Sequence, residues 1–311
     1  MEQIVKKIKW LYASVLLVTC IPLTLGYLMN TGEIHEWAQR LTETFLYKMV
    51  GSVVLWYLVA VVLIQIITFA GMCLLMTAVY DDSVACLLGV TLYMSCPYRL
   101  SVIYQQVDFN QAILFALLPW LVLILKKIRL RWLQFFSVPV SAVIGVLIYL
   151  MLSANDGLTF QNITAKGYAV SDFLTMWKFS DKPGLGLGLI LGGIGLLWAL
   201  IVEEGKLSKE RKLLLGIFVL FCLMATKFFP WEMAQRISGL SLQLVSLLGS
   251  PAVLFGIACF VLCLLIPWVA EALRKEHAGE LVEGSLITIW LGAMAGAVYF
   301  CNTLTFYTPG I

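Results

Sequence analysis

Residues 50–80 read VGSVVLWYLVAVVLIQIITFAGMCLLMTAVY and contain no charged side chain. A helical membrane span needs about twenty consecutive apolar residues, so this run is longer than one crossing of a bilayer requires. A tilt, or a kink near Gly71, would accommodate the surplus. A helix of this length and composition is stable only where lipid replaces water around it. The run therefore predicts an integral membrane protein.

The composition of the whole chain agrees with that prediction. Its 311 residues are 61% apolar and 13% charged, whereas a soluble domain carries about 25% charged residues. A soluble fold of this size would still need charge to cover its surface. We therefore expect a single transmembrane domain over residues 1–311, with no separate soluble domain and no nucleic-acid partner.

Apolar runs of near-spanning length recur along the chain. Because each reads as one helix, the predicted fold is an all-α polytopic bundle of about nine transmembrane helices. The third run is short and ends at Pro97, which predicts a broken helix that needs protein around it. The nine runs are residues 10–29, 49–74, 83–97, 110–125, 133–153, 184–202, 213–229, 251–270 and 284–302.

The basic residues indicate the orientation. Most of the 21 Lys and Arg side chains lie at the N-terminus or in the short segments after every second span, and such segments face the cytoplasm in membrane proteins. We therefore predict a multi-pass protein of the cell membrane with a cytoplasmic N-terminus and an extracytoplasmic C-terminus. The run over residues 10–29 is longer than the core of a cleavable signal peptide, so we interpret it as a retained span.

The segments on the outer side are longer than the basic ones and carry an amphipathic pattern. In residues 231–250, the apolar side chains of Ile237, Leu240, Leu244 and Leu247 recur at three- and four-residue spacing. This spacing places them on one face of a helix, with polar side chains on the other. The pattern predicts interfacial helices that lie on the outer membrane surface.

Small and polar residues within the spans predict helix packing. Gly184, Gly188 and Gly192 recur at four-residue spacing, which lets a second helix approach closely. No Asp, Glu, Lys or Arg falls in the middle of a predicted span, which argues against an ion-coupled transporter. Gln65 and the Ser and Thr hydroxyls are expected to bond neighbouring helices.

The first candidate site lies in the first outer segment, where residues 30–37 read NTGEIHEW. Carboxylates and an imidazole at the spacing of Glu33, His35 and Glu36 could bind a divalent cation or act as a general base. The same residues would also make an ordinary solvated helix start, with Thr31 as its N-cap and acids in the first turn. Both interpretations are compatible with the sequence.

The second candidate site follows the short third span, in CPYRLSVIYQQVDFNQAILFALLPW at residues 96–120. Arg99 could contact a phosphate, and Asp108 could serve as a base or as a metal ligand. The alternatives are an arginine whose side chain extends to the membrane surface and an aspartate that begins the next helix.

The third candidate site is ATKFFPWEMAQRI at residues 225–237. Lys227, Glu232 and Arg236 lie beside Trp231, so two cations and one carboxylate come together at the end of a span. Lysine at a span end also commonly anchors the helix at the membrane surface. The pattern therefore indicates either a binding site for an anion or an interfacial anchor.

Two of these stretches resemble a known family. CPYRL at 96–100 followed by ALLPW at 116–120 resembles the YfhO-like bacterial membrane proteins and related polytopic glycosyltransferases of the GT-C type, in which a PYR motif follows a short helix and the next helix contains LP. TKFFPWE at 226–232 is similar to the second motif of that family. The resemblance covers approximately residues 83–255 in order and spacing.

The resemblance implies a glycosyltransferase that handles a lipid-linked saccharide, such as a polyprenyl phosphate sugar, at the outer face of the bacterial cytoplasmic membrane. Carried over by position, Glu33 or Glu36 would be the catalytic base, assisted by a divalent cation such as Mg or Mn. Arg99, and with it Lys227 and Arg236, would face the lipid phosphate. Cations at that depth would stabilise the departing anion.

The chain also departs from the family pattern. Its first outer segment offers glutamates where the family usually has an aspartate, and Asn110 and Gln111 replace an expected Gly-Glu pair. These departures leave catalytic activity open. The alternatives are a transporter or flippase for a lipid or polysaccharide, and a non-catalytic scaffold subunit with a membrane-protein partner. Membrane lipids surround the protein in every case.

Overall fold

Helices make up almost all of the structure. The computed structural model describes residues 2–20, 53–104, 106, 108–152, 166–175, 182–202, 208–238, 245, 248, 250–276 and 280–306. Over these residues the backbone forms α-helices, and the β-structure is limited to an isolated bridge between Tyr168 and Thr226. The predicted all-α class is confirmed.

A helix lies in each of the nine predicted apolar runs, and α4 begins at Pro97, where the third run ends. Three short helices, α6, α8 and α11, connect the longer ones. In chain order the helices are α1 (Glu2–Cys20), α2 (Val53–Val79), α3 (Ser83–Met94), α4 (Pro97–Tyr104), α5 (Phe109–Lys127), α6 (Arg131–Phe135), α7 (Ser137–Leu152), α8 (Val170–Phe173), α9 (Gly186–Val202), α10 (Lys209–Ala225), α11 (Trp231–Ile237), α12 (Ala252–Glu276) and α13 (Glu280–Phe306).

Fewer of these helices meet the requirements of a full membrane span than the sequence predicted. Among the described residues, three helical segments are long and apolar enough to cross a bilayer: Tyr57–Val79, Phe109–Lys127 and Ala252–Glu271. The bent pair α3 and α4 counts as a fourth if it is one span. The apolar parts of α1, α7 and α9 are shorter than eighteen residues, which is too short for a full span. The apolar helices are compatible with membrane insertion, but the structure supports three or four spans where nine were expected.

Helix α12 lies at the centre of the bundle. Every residue from 253 to 270 is buried, and α3, α9 and α10 pack along this stretch. Helices α2 and α7 pack on the two sides of α5. In lipid the hydrophobic effect does not drive helices together, so close van der Waals packing has to stabilise such a centre. Gly256 on α12 allows it: a Cβ there would lie 2.5 Å from Cε1 of Tyr98 and 2.7 Å from Cε1 of Phe115.

Two of the three glycines that were predicted to allow close helix packing, Gly188 and Gly192, make such contacts from α9. A Cβ at Gly188 would lie 2.7 Å from the Cα of Ala293 on α13, and a Cβ at Gly192 would lie 2.9 Å from a methyl carbon of Ile266 on α12. Helix α9 therefore approaches two different neighbours through its glycines. Gly184 lies before the first residue of the helix, at Gly186. A Cβ at Gly184 would lie 2.5 Å from the carbonyl oxygen of Asp172 in α8, so the prediction that Gly184 shares one helix with Gly188 and Gly192 was wrong.

Candidate functional site at the broken helix

The candidate site begins with the break between α3 and α4. The two helices meet at an angle of 41° across Ser95 and Cys96. Pro97 causes the break, because it has no N–H to donate and disfavours the helical conformation of the residue before it. The predicted broken helix is confirmed. The break leaves the carbonyl oxygen of Met94, at the C-terminal end of α3, without a backbone N–H donor from the same helix.

Arg99 supplies the missing donors from the first turns of α4. Its Nη2 donates to the carbonyl oxygen of Met94 at 2.8 Å, and its Nε donates to the carbonyl oxygen of Tyr93 at 3.2 Å. The guanidinium also lies 5.7 Å from the centre of the Tyr93 ring. A cation at the C-terminal end of a helix is favourable because the helix dipole is negative there. Arg99 therefore closes the broken end of α3.

Arg99 is buried, and it contacts the middle of another helix. It is 2% exposed, and its Nη2 donates to Oε1 of Gln65 at 2.7 Å. Gln65 lies near the middle of α2. The sequence places Arg99 after the end of a short span, and no ionisable residue was expected in the middle of a span. If α3 and α4 form one span, Arg99 lies within that span and not after its end, because α4 continues into the bundle beyond Pro97.

A chain of hydrogen bonds holds the amide of Gln65 in place. Its Nε2 donates to the hydroxyl oxygen of Tyr104 at 3.0 Å and to the carbonyl oxygen of Thr19 at 3.1 Å. The Tyr104 hydroxyl donates to that same carbonyl at 2.6 Å. Helices α1, α2 and α4 are thereby joined through polar groups that are all buried. The expectation that Gln65 bonds neighbouring helices is confirmed.

One nitrogen of the guanidinium has no partner. Nη1 of Arg99 is buried and makes no hydrogen bond. The ion pair found in the described part of the chain joins Arg211 to Glu271, so no described carboxylate lies within 4.0 Å of Arg99. A buried cation without a counter-charge is costly. Two nitrogens are fixed by the protein, and the third is buried with an unmet hydrogen-bonding requirement that an anion would satisfy.

Asp108 is occupied as a helix cap. Its Oδ1 accepts from the backbone N–H of Gln111 at 3.0 Å, and its Oδ2 accepts from Nε2 of Gln111 at 2.7 Å. The Tyr98 hydroxyl donates to the amide oxygen of the same glutamine at 3.1 Å. Burial raises the pKa of the Asp108 carboxyl above its usual range, and the hydrogen bonds from Gln111 oppose that effect. This arrangement matches the interpretation of Asp108 as the start of the next helix.

Lys227, Glu232 and Arg236 lie on an exposed surface at the start of α11. The indole N–H of the buried Trp231 donates to the carbonyl oxygen of Met224 at 3.0 Å and fixes α11 against α10. No hydrogen bond or ion pair connects the three charged residues to Arg99 within the described ranges. The structure therefore does not bring the second and third candidate sites into direct contact.

Apolar side chains surround those exposed charges. Phe228 and Ile237 are each 79% exposed, and Met233 is 70% exposed. Exposed apolar and charged groups side by side are typical of a membrane–water interface. Within the predicted amphipathic helix over residues 231–250, the described helical residues are those of α11 and the buried Val245 and Leu248. Leu240, Leu244 and Leu247 lie outside the described residues.

Glu33, His35 and Glu36 also lie outside the described residues, so their predicted roles stay predictions. Among the residues that are described, no group of three His, Cys, Asp or Glu side chains could hold a metal ion. The divalent cation expected from the resemblance therefore has no ligand set in this part of the chain.

The sequence signal for the candidate site was partial. PYR marked the break and Gln65 was the one amide in a long apolar run, but nothing in the sequence paired them. Tyr104 was not singled out. The chain matches no protein-family model, and no curated protein and no solved structure resembles it significantly. The candidate site is therefore argued from its own geometry.

Proposed function

We propose that the chain handles a lipid-linked saccharide of the polyprenyl phosphate class and that Arg99 holds its phosphate. The observation that carries the proposal is the unpaired Nη1 of a guanidinium buried within a helical bundle. A phosphate is the natural partner of such a group, since guanidinium and phosphate form strong, charge-assisted hydrogen bonds. Ionisable residues inside membrane bundles commonly mark the path or the site of a charged ligand.

The surroundings of Arg99 favour binding of an anion. Because Tyr93, Met94 and Gln65 hold the other nitrogens, Nη1 has a fixed direction before any ligand arrives. A preorganised donor in a low-dielectric site stabilises negative charge more than the same donor in water. A phosphate that loses a sugar gains charge, so the same guanidinium would stabilise the leaving group of a glycosyl transfer.

In this proposal the protein lies in the bacterial cytoplasmic membrane with about nine spans, a cytoplasmic N-terminus and interfacial helices on the outer face. Glu33 or Glu36 acts as the base of the transfer at that face, assisted by Mg or Mn. Lys227 and Arg236 meet the headgroup region, which is supported by their exposure beside exposed apolar side chains.

The binding step is tested with farnesyl phosphate, a short polyprenyl phosphate, titrated into the purified protein in neutral detergent by calorimetry. We expect Arg99→Gln to weaken binding at least tenfold, because a hydrogen bond to a charged group contributes about 1.5–3 kcal/mol. Arg99→Lys keeps the charge and should retain part of the affinity. Arg129→Gln, at an exposed arginine between α5 and α6, is the control and should bind normally.

The melting temperature of each variant without ligand shows whether it is folded. Equal affinity of a folded Arg99→Gln variant and the unchanged protein would overturn the proposal. The transfer step is tested separately with Glu33→Gln and Glu36→Gln in an assay that supplies a polyprenyl phosphate sugar and an acceptor. If the double variant turns over at the normal rate, the assignment of the base is wrong.

The depth of Arg99 also supports a second candidate function, the translocation of a lipid-linked saccharide across the membrane. Discontinuous helices with a ligand site near the middle of the bilayer are typical of transporters, and Arg99 contacts the middle of α2 beside such a break. Vesicles with a fluorescent farnesyl phosphate separate the two functions. Translocation makes the inner-leaflet probe accessible to an external quencher, whereas transfer leaves it protected.

A further inference from the structure

A cavity of about 230 Å³ opens where the ends of five helices meet the middle of α12, and it does not involve Arg99. Its polar wall comes from the C-terminal end of α5, the short helix α6 and the N-terminal end of α10. Its apolar floor comes from α2, α5, α10 and α12.

Two basic side chains line this cavity, Arg211 and Lys126, and only Arg211 is paired with a described carboxylate. Arg211 lies 4.0 Å from a carboxylate oxygen of Glu271 and 4.7 Å above the ring of Trp268, so its charge is already engaged. Glu210 also lines the cavity, but its side chain is exposed to solvent. Lys126 forms no hydrogen bond and no ion pair in the described part of the chain. No described carboxylate therefore lies within 4.0 Å of its ammonium group.

The beginning of α10 adds hydrogen-bond donors to the same cavity. Ser208 caps this helix with a long bond of 3.4 Å, in which its hydroxyl oxygen accepts from the backbone N–H of Arg211. The first turn of a helix offers N–H groups without partners inside the helix, and the helix dipole is positive there. Lys126 and this helix end together favour an anionic group.

The apolar part of the cavity continues onto the outer surface of the bundle. Leu75, Val122 and Leu264 form its floor. Val79 both lines the cavity and is 37% exposed, so apolar surface continues outward from the floor. A small soluble anion gains nothing from such a floor, whereas a molecule with a charged head and apolar chains contacts both parts.

We propose that this cavity binds the phosphodiester headgroup of an anionic phospholipid. Lys126 contacts the phosphate, and the lipid chains lie over the exposed apolar surface next to Val79. Basic pockets between membrane helices are a recurring form of lipid recognition. The inference is independent of the function proposed for Arg99, since the two sites share no residue.

Short-chain phosphatidylglycerol titrated into the purified protein in neutral detergent tests the proposal, with the melting temperature as the readout. We expect a saturable rise for the unchanged protein. Lys126→Gln should raise the half-saturating concentration about fivefold, the effect of one lysine at an anionic lipid surface. Lys126→Arg should restore it. Lys127→Gln is the matched control, because Lys127 is exposed and does not line the cavity.

Three outcomes would overturn the proposal. Equal weakening by Lys126→Gln and Lys127→Gln would indicate attraction by general surface charge. An equal rise with phosphatidylcholine would show that the headgroup charge is not recognised. A rise of the same size with glycerol phosphate alone would show that the cavity binds a soluble phosphate and not a lipid. The melting temperature without lipid verifies that each variant is folded.

Discussion

The helix break around Arg99 and the cavity around Lys126 both present a cation, but the protein builds them in opposite ways. Arg99 is buried and fixed by three acceptors, with one nitrogen left over. Lys126 is half-exposed at the mouth of an open cavity. A buried charge is costly unless its partners are complete, whereas a half-exposed charge is largely solvated. Changes at the break should therefore have larger effects than equivalent changes near the cavity.

The largest effect is expected for packing at the break. Gly256→Val would place side-chain atoms where the rings of Tyr98 and Phe115 lie, and overpacking of a core costs about 1–3 kcal/mol or more. Gly216→Val on α10 is the matched control, because no atom lies within 4 Å of a Cβ there. Thermal unfolding in detergent should show a clear loss for the first variant and little change for the second. Equal losses would contradict the proposed difference in packing.

The second-largest effect is expected when a glutamine is replaced at the break, and the same replacement at the cavity serves as the comparison. Gln65→Leu removes an acceptor of the buried Arg99, so we expect a loss of about 2 kcal/mol, within the range for leaving a buried polar group unsatisfied. Gln134→Leu removes one bond of 3.0 Å from an amide at the cavity to the carbonyl oxygen of Ile128. That loss should be about 0.5 kcal/mol or less, as is usual for an exposed group. Reversible unfolding in mixed detergent measures both.

A smaller effect is expected for Arg211 beside the cavity. Arg211→Gln removes the pair with Glu271 and the contact with the ring of Trp268. Arg211 is 35% exposed, so solvent reaches the ion pair and the cation–π contact, although Glu271 is only 13% exposed and Trp268 is buried. Each of the two contacts should therefore contribute about 1 kcal/mol. The loss should shrink when salt is added, because salt screens exposed charges. A loss that is large and independent of salt would mean that Arg211 is buried like Arg99.

The smallest effect concerns the pH dependence of stability at Asp108. Since its pKa is raised above the ordinary value of 3.8, the folded protein takes up a proton more readily than the unfolded chain. The contribution of Asp108 to stability should therefore increase as the pH falls from above the raised pKa towards 3.8. Asp108→Asn should lack this increase. Melting temperatures of both proteins across that pH range, measured in the same detergent, give the difference directly.

Some of the candidate site followed from the sequence, for reasons that are local. The short third run ends at Pro97, and proline removes a backbone donor, so a break was predictable there. Pro119 and Pro267, by contrast, lie inside the continuous helices α5 and α12. Gln65 is a polar group in an apolar run, and such a group has to find a partner in a neighbouring helix. Asp108 before an apolar run is a common helix start. Each of these inferences needs only the residue and its near neighbours in the chain.

The sequence by itself therefore determined the all-α class, the positions of the helices and the place of the break. Only the tertiary structure decided that Arg99 lies against the middle of α2 and that Lys126 borders a cavity. The reason is that the position of a buried guanidinium depends on which neighbouring helices offer polar partners to it. Those partners are Gln65 on α2 and, through Gln65, the carbonyl of Thr19 on α1, and both are far from α4 in the chain. The run at residues 50–80 predicted a membrane helix, and the fold placed the acceptor for Arg99 at its centre.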